Sequence, residues 1–593
     1  MNERKIFSGG EFLISDVKQG DVFAPEEFTN EQKMVFKAAF DFVKKELADN
    51  AEEIEKKDET KVRNWFSMAG ELGLNAADIP EEYGGEGMDK ISACLVGEAM
   101  GGANSFAVSH SCQTGIGSLP IYLFGTEEQK QKYLPKLATG EMIGAYCLTE
   151  SGAGSDAMNA ATTAVLSEDG SHYILNGEKI FITNGAWADV LTVFAKVDGE
   201  KFTGFIIEKG FEGFSTGPEE SKLGIKGSST VTVILKDCKV PVENVLFTVG
   251  SGHKIAFNVL NIGRYKLGAN AMGGAKNSIA AAVKYANERV QFGKKISSFG
   301  MIRNKLAQMT IKTYMTESIV YRLAAAIDDK MSTLDEAARK NGEEVAKAIE
   351  EYSVECAITK IYGSEALDYV VDELVQIYGG NGYISEFPAE RAYRDSRINR
   401  IFEGTNEINR LVITGNVLKM AMKGKLALLE SVGTAMKDIA SYDTSVFKQG
   451  SILATQGQIL KNSKNLFLLT VNTVTQKLLE TLQEDQEVIE LLADMVIEIF
   501  AMESGLLRAQ KFMETKGEKK AELHIAAVKA YCADAILKMA GLSKNVLAFA
   551  ESGEALEKLI TDVDKLAYAP MENTIAQKRL IAEKVIKGKK YPF

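Results

Sequence analysis

The six cysteines, Cys94, Cys112, Cys147, Cys238, Cys356 and Cys532, include no CxxC pair, and His110, His172, His253 and His524 lie far apart. That scatter excludes a disulfide framework and a zinc or other histidine-based metal site, and it fits a reducing compartment. No run approaches 18 apolar residues, so no bilayer span is expected. A basic excess is missing too: the net charge of -12 argues against nucleic acid as a partner, because phosphate binding needs clustered Lys and Arg. No GxGxxG opens a helix after a strand, and no GxxxxGK[ST] occurs, which removes the two commonest nucleotide loops. The first residues, MNERKIFSGGEFLISD, carry neither an apolar h-region nor an Arg/Ser-rich amphipathic pattern. A leaderless, cytoplasmic chain is the expectation.

What is present is an ordinary globular composition, 45% hydrophobic and 25% charged over 593 residues. That length exceeds one compact core and allows a large ligand to be buried between domains. Over 1–142 apolar residues such as Phe36, Phe40, Val43 and Leu47 recur at helical spacing. Over 143–250 the texture changes to short β-branched runs, ATTAVL, YILNGEKIFIT, VLTVFAKV, FTGFIIEK and TVTVILKD, punctuated by turn residues. Helical periodicity returns over 251–425, and 426–593 adds further helices without a glycine-rich loop. The predicted fold is α+β and mainly α: an N-terminal helical domain, a central antiparallel β domain, a helical bundle domain and an extra C-terminal helical domain. A β layer set between helical layers is not the alternating pattern of a Rossmann fold.

Three segments carry candidate chemistry. In Thr149-Glu150-Ser151-Gly152-Ala153-Gly154-Ser155-Asp156, small residues and hydroxyls suit an anion or flavin cradle, or equally a solvated turn. Gln376-Ile377-Tyr378-Gly379-Gly380-Asn381-Gly382 reads as a ligand-approach loop or as a helix C-cap. In Arg400-Ile401-Phe402-Glu403-Gly404-Thr405-Asn406, Glu403 precedes a helix start among apolar neighbours. It reads as a desolvated base or as a solvated capping carboxylate.

Taken together and in order, AYCLTESGAGSD, KIFITNGAWAD, ERVQFGK, QIYGGNGYISEFPAERAYRDSRI and RIFEGTNEINR closely resemble the acyl-CoA dehydrogenases over roughly residues 25 to 420. The C-terminal extension, GIKGSST at 224–230 and VLNIGRYKLGA at 259–269 look most like the very-long-chain branch. The resemblance implies FAD between the β domain and the second helical domain. Thr149 would meet the pyrimidine side of the flavin, Thr183 its N5, and Ser155 both cofactor and substrate. Phe181 stands where the family often has Trp, and Ser151 where a proline is usual. Arg289, Gln291 and Phe292, with Gln376, Gly379 and Gly380, match segments that reach the FAD of a neighbouring subunit, and Thr405 and Asn406 also touch the cofactor. Glu403 would remove the α-proton of a fatty acyl-CoA while a hydride leaves the β-carbon for the flavin. Arg264 and Gly404 would stand near the thioester, and the Glu403 amide would hold the enolate oxygen.

Some relatives carry the base where Gly263 stands here. Gly115 and Gly117 suggest room for a long acyl chain, or ease of helix packing, while Pro120 stands where a long-chain relative would often have Gly. The resemblance further implies a homodimer, an electron-transferring flavoprotein as acceptor, and peripheral membrane contact through 459–482 or the KVIKGKKYPF tail; bundle packing and solvation are the alternative for those two segments. An acyl-CoA oxidase, or a scaffold of the same fold that has lost turnover, are the competing functions. The ending lacks Ser-Lys-Leu, which favours the dehydrogenase over the oxidase.

Overall fold

The computed structural model describes residues 4–448, 450–478 and 481–593. Its N-terminal layer is built from the helices Asn30–Phe42, Glu59–Glu71, Lys90–Met100 and Glu127–Thr139. Two of these start at Thr–Gln capping boxes, Thr29 with Gln32 and Thr126 with Gln129, in which hydroxyl and amide satisfy the free N–H groups of the first turn.

The β-branched runs form the central sheet: β1 Gly144–Cys147, β2 Thr163–Leu166, β3 His172–Thr183, β4 Val190–Val197, β5 Lys201–Glu208, β6 Phe214–Thr216, β7 Thr230–Pro241 and β8 Val245–Leu246. They pair in the order β6-β7-β3-β2-β4-β5-β8, with β1 also on β4. Most pairs are antiparallel, as the sequence texture suggested, but β1 and β2 each run parallel to β4, so the sheet is mixed. The cause is topological. β2 and β3 form an antiparallel pair, and β4 reverses direction again but lies beside β2 instead of β3. Period-two alternation divides β4 between two cores. Leu191, Val193, Ala195 and Val197 pack within the sheet domain, while Val190 and Phe194 meet Ile255, Ala256 and Val259 of the next helix.

That helix, Gly252–Glu288, is 37 residues long and crosses the helix Ser353–Tyr378. At the crossing a Cβ on Gly268 would lie 2.4 Å from Thr359 Cγ2, and one on Gly363 would lie 3.1 Å from the Gly268 Cα. Only glycine at both positions lets the backbones approach so closely. The approach brings Arg264 and Lys360, each one turn away, against the same loop.

The C-terminal extension is not a separate body. Its helices Ala454–Lys477, Gln486–Lys516, Glu522–Ala550 and Thr574–Gly588 share one apolar core with the bundle, from Ala271 through Tyr314 to Val585. Ile459, Leu466, Phe467, Leu469 and Leu482 are buried there, as bundle packing requires; Leu479 and Glu480 of that segment lie outside the described residues. The basic tail is anchored as well: Tyr591 donates to Glu317, and Phe593 packs 4.6 Å from Tyr314. Among the described residues no helix is long and apolar enough to cross a membrane.

Candidate active site

Glu403 lies in the turn between Arg397–Arg400 and the helix Asn406–Met422, which Thr405 caps by accepting from Ile408 N. Glu403 and Gly404 both have left-handed backbones, φ 58° and 80°. For a glutamate that conformation costs on the order of 1–3 kcal/mol and persists only where surroundings enforce it. Here Arg264 Nε donates to the Glu403 carbonyl at 3.3 Å, Lys360 Nζ to the Gly404 carbonyl at 2.8 Å, and Asn409 Nδ2 to the Gly404 and Thr405 carbonyls at 2.8 and 3.0 Å.

So held, the turn aims the carboxylate inward. It rests on the bare face of Gly263, where a Cβ would lie 2.6 Å from Glu403 Oε2 and 2.7 Å from Cδ. The Oε2 atom is sealed from solvent and has no hydrogen-bond partner among the described residues. Burial pushes the Glu403 carboxyl up to about 7, against the opposing pull of Arg264 and then Lys360. Burial in turn lowers the Arg264 guanidinium, whose Nη1 is satisfied by Asn261 Oδ1 at 3.0 Å.

The carboxylate stands at the junction of two cavities. The larger, of about 890 Å³, is lined by Thr149, Ser155, Phe181 and Thr183 from the sheet side, and by Arg264, Glu403, Gly404 and Thr405 from the helical side. The smaller, of about 310 Å³, runs between Val108, Cys112 and Gly115 on one wall and Gly263 to Ala281 of the long helix on the other. Thr183, Phe402 and Glu403 border both.

The sheet-side residues are placed by local devices. Glu150 and Ala153 exchange backbone hydrogen bonds at 3.1 Å, closing the turn over Ser151 and Gly152. Buried Lys179 at 2.5 Å, Thr162 and the Ala161 amide hold the Glu150 carboxylate. Gly152 and Gly154 face open space, and the Thr149, Ser155 and Thr183 hydroxyls are without partners among the described residues. A bulge in β3 between Lys179 and Ile182 gives Phe181 a φ of 60° and leaves its ring 62% exposed toward the larger cavity. A large cavity with free hydroxyls, an accessible ring and an approachable backbone turn fits a flavin nucleotide.

Seven of the site residues expected from sequence, Thr149, Ser155, Phe181, Thr183, Arg264, Gly404 and Thr405, therefore line the larger cavity together with Glu403. Asn406 does not join them: it is buried and faces Lys360, Ser364 and Glu365. Arg289, Gln291, Phe292, Gln376, Gly379 and Gly380 line neither cavity. They share a different surface, where Val290–Gln291 pairs with Lys294–Lys295 and Phe292 is 92% exposed at the tip. Tyr285 stacks on Tyr378 at 4.0 Å and accepts from Asn381, tying that hairpin to the glycine loop. Sequence reasoning missed Lys360. Its only signal was a lysine amid the apolar run of AITKIYGSEAL, which a surface position would explain equally well.

Comparison with known proteins agrees with this geometry. Acyl-CoA dehydrogenase N-terminal, middle and C-terminal domain models match residues 29–141, 145–238 and 250–418, and a further acyl-CoA dehydrogenase C-terminal domain matches 462–565. A probable acyl-CoA dehydrogenase of Bacillus subtilis is 45% identical over 98% of both chains. The human mitochondrial very long-chain specific acyl-CoA dehydrogenase is 36% identical over 79% of this chain and 73% of its own. The crystal structure of an acyl-CoA dehydrogenase complexed with FAD from Bacillus anthracis superposes with a TM-score of 0.97 at 46% identity, covering 99% of this chain and 100% of that one. With a buried carboxylate, a flavin-sized cavity and a second cavity converging at Glu403, and with matches that run nearly end to end, the chain belongs to the FAD-dependent acyl-CoA dehydrogenase family.

Proposed function

We propose that this enzyme inserts the trans-2 double bond into long-chain fatty acyl-CoA thioesters as a step of fatty acid β-oxidation, with Glu403 as the base. The observation that carries the reading is the position of the Glu403 carboxylate, unpartnered at the junction of the two cavities. A thioester carbonyl acidifies its α-carbon, and a carboxylate poised near neutrality is matched to removing that proton. Thr149, Ser155, Phe181, Thr183 and Thr405 would hold FAD, which when bound accepts the two electrons and the β-hydrogen as a hydride equivalent. Thr183 and Glu403 border both cavities, which supports a substrate held between base and oxidant. Arg264 and Gly404 shape the wall on which the thioester would rest, and the Glu403 amide is the donor proposed for the enolate oxygen.

Long chains are supported by the smaller cavity. From Gly263 to Ala281 it follows the long helix for 18 positions, about 27 Å at 1.5 Å per residue. Gly115 faces open space in that cavity, whereas Gly117 packs on the Gly144 backbone, so the first widens the tunnel and the second eases packing. The exposed surface of Arg289, Gln291, Phe292, Gln376, Gly379 and Gly380 supports a homodimer in which each copy completes its partner's cofactor site. Electrons would then pass to an electron-transferring flavoprotein.

The test is anaerobic titration of the purified protein with butyryl-, octanoyl- and palmitoyl-CoA, following flavin bleaching. Strongest bleaching by palmitoyl-CoA supports the proposal. No bleaching by any of them, with FAD bound, sinks it, and rapid reoxidation by dioxygen would make the enzyme an oxidase.

A further inference from the structure

Lys360 is fully buried, yet it is no ordinary core lysine. Its Nζ donates to the Gly404 carbonyl at 2.8 Å and to Asn406 Oδ1 at 2.6 Å, and Asn406 is in turn fixed by Ser364 and Glu365 at 3.1 Å. Those contacts clamp Gly404, the second of the two left-handed residues of the turn, to the beginning of the following helix. Burial opposes the charge on the Lys360 amine, while the Glu403 carboxylate, first among the groups that resist, then Glu407 and Glu365, favours its ammonium form, so that amine and carboxylate titrate as a pair; Arg264 works against the ammonium. Charge facing Glu403 comes from two cations only among the described residues, Arg264 on one helix and Lys360 on the other. Cys112 and Tyr146, which pack on it from the remaining sides, are held neutral, their thiol and phenol raised by burial and then by the Glu403 charge.

We infer that Lys360 is a positioning residue for the base: its ammonium clamps the turn that carries Glu403 and, with Arg264, supplies the positive charge against which that carboxylate ionises. The inference rests on Glu403 being the base. Arg264 reaches the Glu403 carbonyl, but Lys360 holds the next residue, so the two cations divide the turn between them. Asn409 also holds the Gly404 carbonyl, so the turn keeps a donor when Lys360 is replaced.

The experiment uses the full chain with FAD and the variants Lys360→Met, Lys360→Gln and Lys360→Arg. Two readouts are taken: the pH profile of single-turnover flavin reduction by palmitoyl-CoA, and an infrared titration of the Glu403 carboxyl without substrate, using Glu403→Gln as the difference reference. Loss of one cation at close range should move the Glu403 midpoint up by about one unit in Lys360→Met, cutting the rate at pH 7 about fivefold. Lys360→Gln, which keeps an N–H for Gly404 but no charge, should show the same shift with a smaller loss at the high-pH plateau. Lys360→Arg should keep the wild-type midpoint. An unmoved midpoint in the methionine and glutamine variants, with reduction slower at every pH or FAD lost, overturns the inference and leaves Lys360 a structural group. Should Lys360→Met fail to fold, the infrared titration of Lys360→Gln decides between the same two outcomes. If Glu403→Gln itself still bleaches at the wild-type rate, the base assignment has failed and not merely the role of Lys360.

Discussion

Gly263 offers a sharp test, because one methyl group there should separate activity from stability. A Cβ at Gly263 would lie 2.6 Å from Glu403 Oε2 and 2.7 Å from Cδ. Ordinary non-bonded contact needs roughly 3.5 Å, so Gly263→Ala must drive the carboxylate away by about 1 Å. The displaced atoms are the far end of a flexible side chain beside a cavity, so the fold has little to lose. In the helix interior alanine is favoured over glycine by about 0.8–1 kcal/mol. For a base, however, a misplacement of about 1 Å costs on the order of 100-fold, or about 2.7 kcal/mol of transition-state stabilisation. The assay is anaerobic stopped-flow reduction of the flavin by palmitoyl-CoA, with FAD content and thermal midpoint measured on the same preparation. We expect wild-type FAD content, an unchanged or raised Tm and reduction slowed about 100-fold. Reduction within threefold of wild type would refute the reasoning, since the carboxylate would then not need the space that glycine leaves.

Other expectations follow from the same geometry. Glu403→Gln should slow flavin reduction by about 10²–10⁴-fold while retaining FAD, read by single-turnover absorbance. With the Glu403 carboxyl raised to about 7, the reduction rate should climb with pH through that value. Stability moves the other way: the unfolded carboxyl loses its proton first, so the Glu403 contribution is full below its ordinary range and is lost as pH rises toward 7, a dependence that urea titrations should find absent in Glu403→Gln. Val108→Phe should fill part of the smaller cavity, raising KM for palmitoyl-CoA about tenfold or more while leaving butyryl-CoA within about twofold. Arg508 is buried between Glu26 and Glu317, so Arg508→Met should cost about 3–5 kcal/mol in urea unfolding by stranding those carboxylates.

The sequence by itself determined the order of layers and the chemistry-bearing segments. Helical spacing in Phe36 to Leu47 and β-branched runs such as VLTVFAKV are local signals, because periodicity follows from which face of an element meets a core. Motif order likewise singled out Glu403, Thr149 and Thr183 as candidates, and all three line one cavity. Tertiary structure decided what depends on distant segments meeting. The parallel pairing of β1 and β2 with β4 is set by which strand the chain returns beside, and no strand's own residues encode it. Asn406 turned inward to Lys360, 46 positions earlier in the chain, a pairing that only the packing of two separate helices creates. The acidity of Glu403 arises in the same way: among 81 acidic residues, burial at the meeting of two cavities, opposed by Arg264 and Lys360 brought from separate helices, raises this carboxyl to about 7.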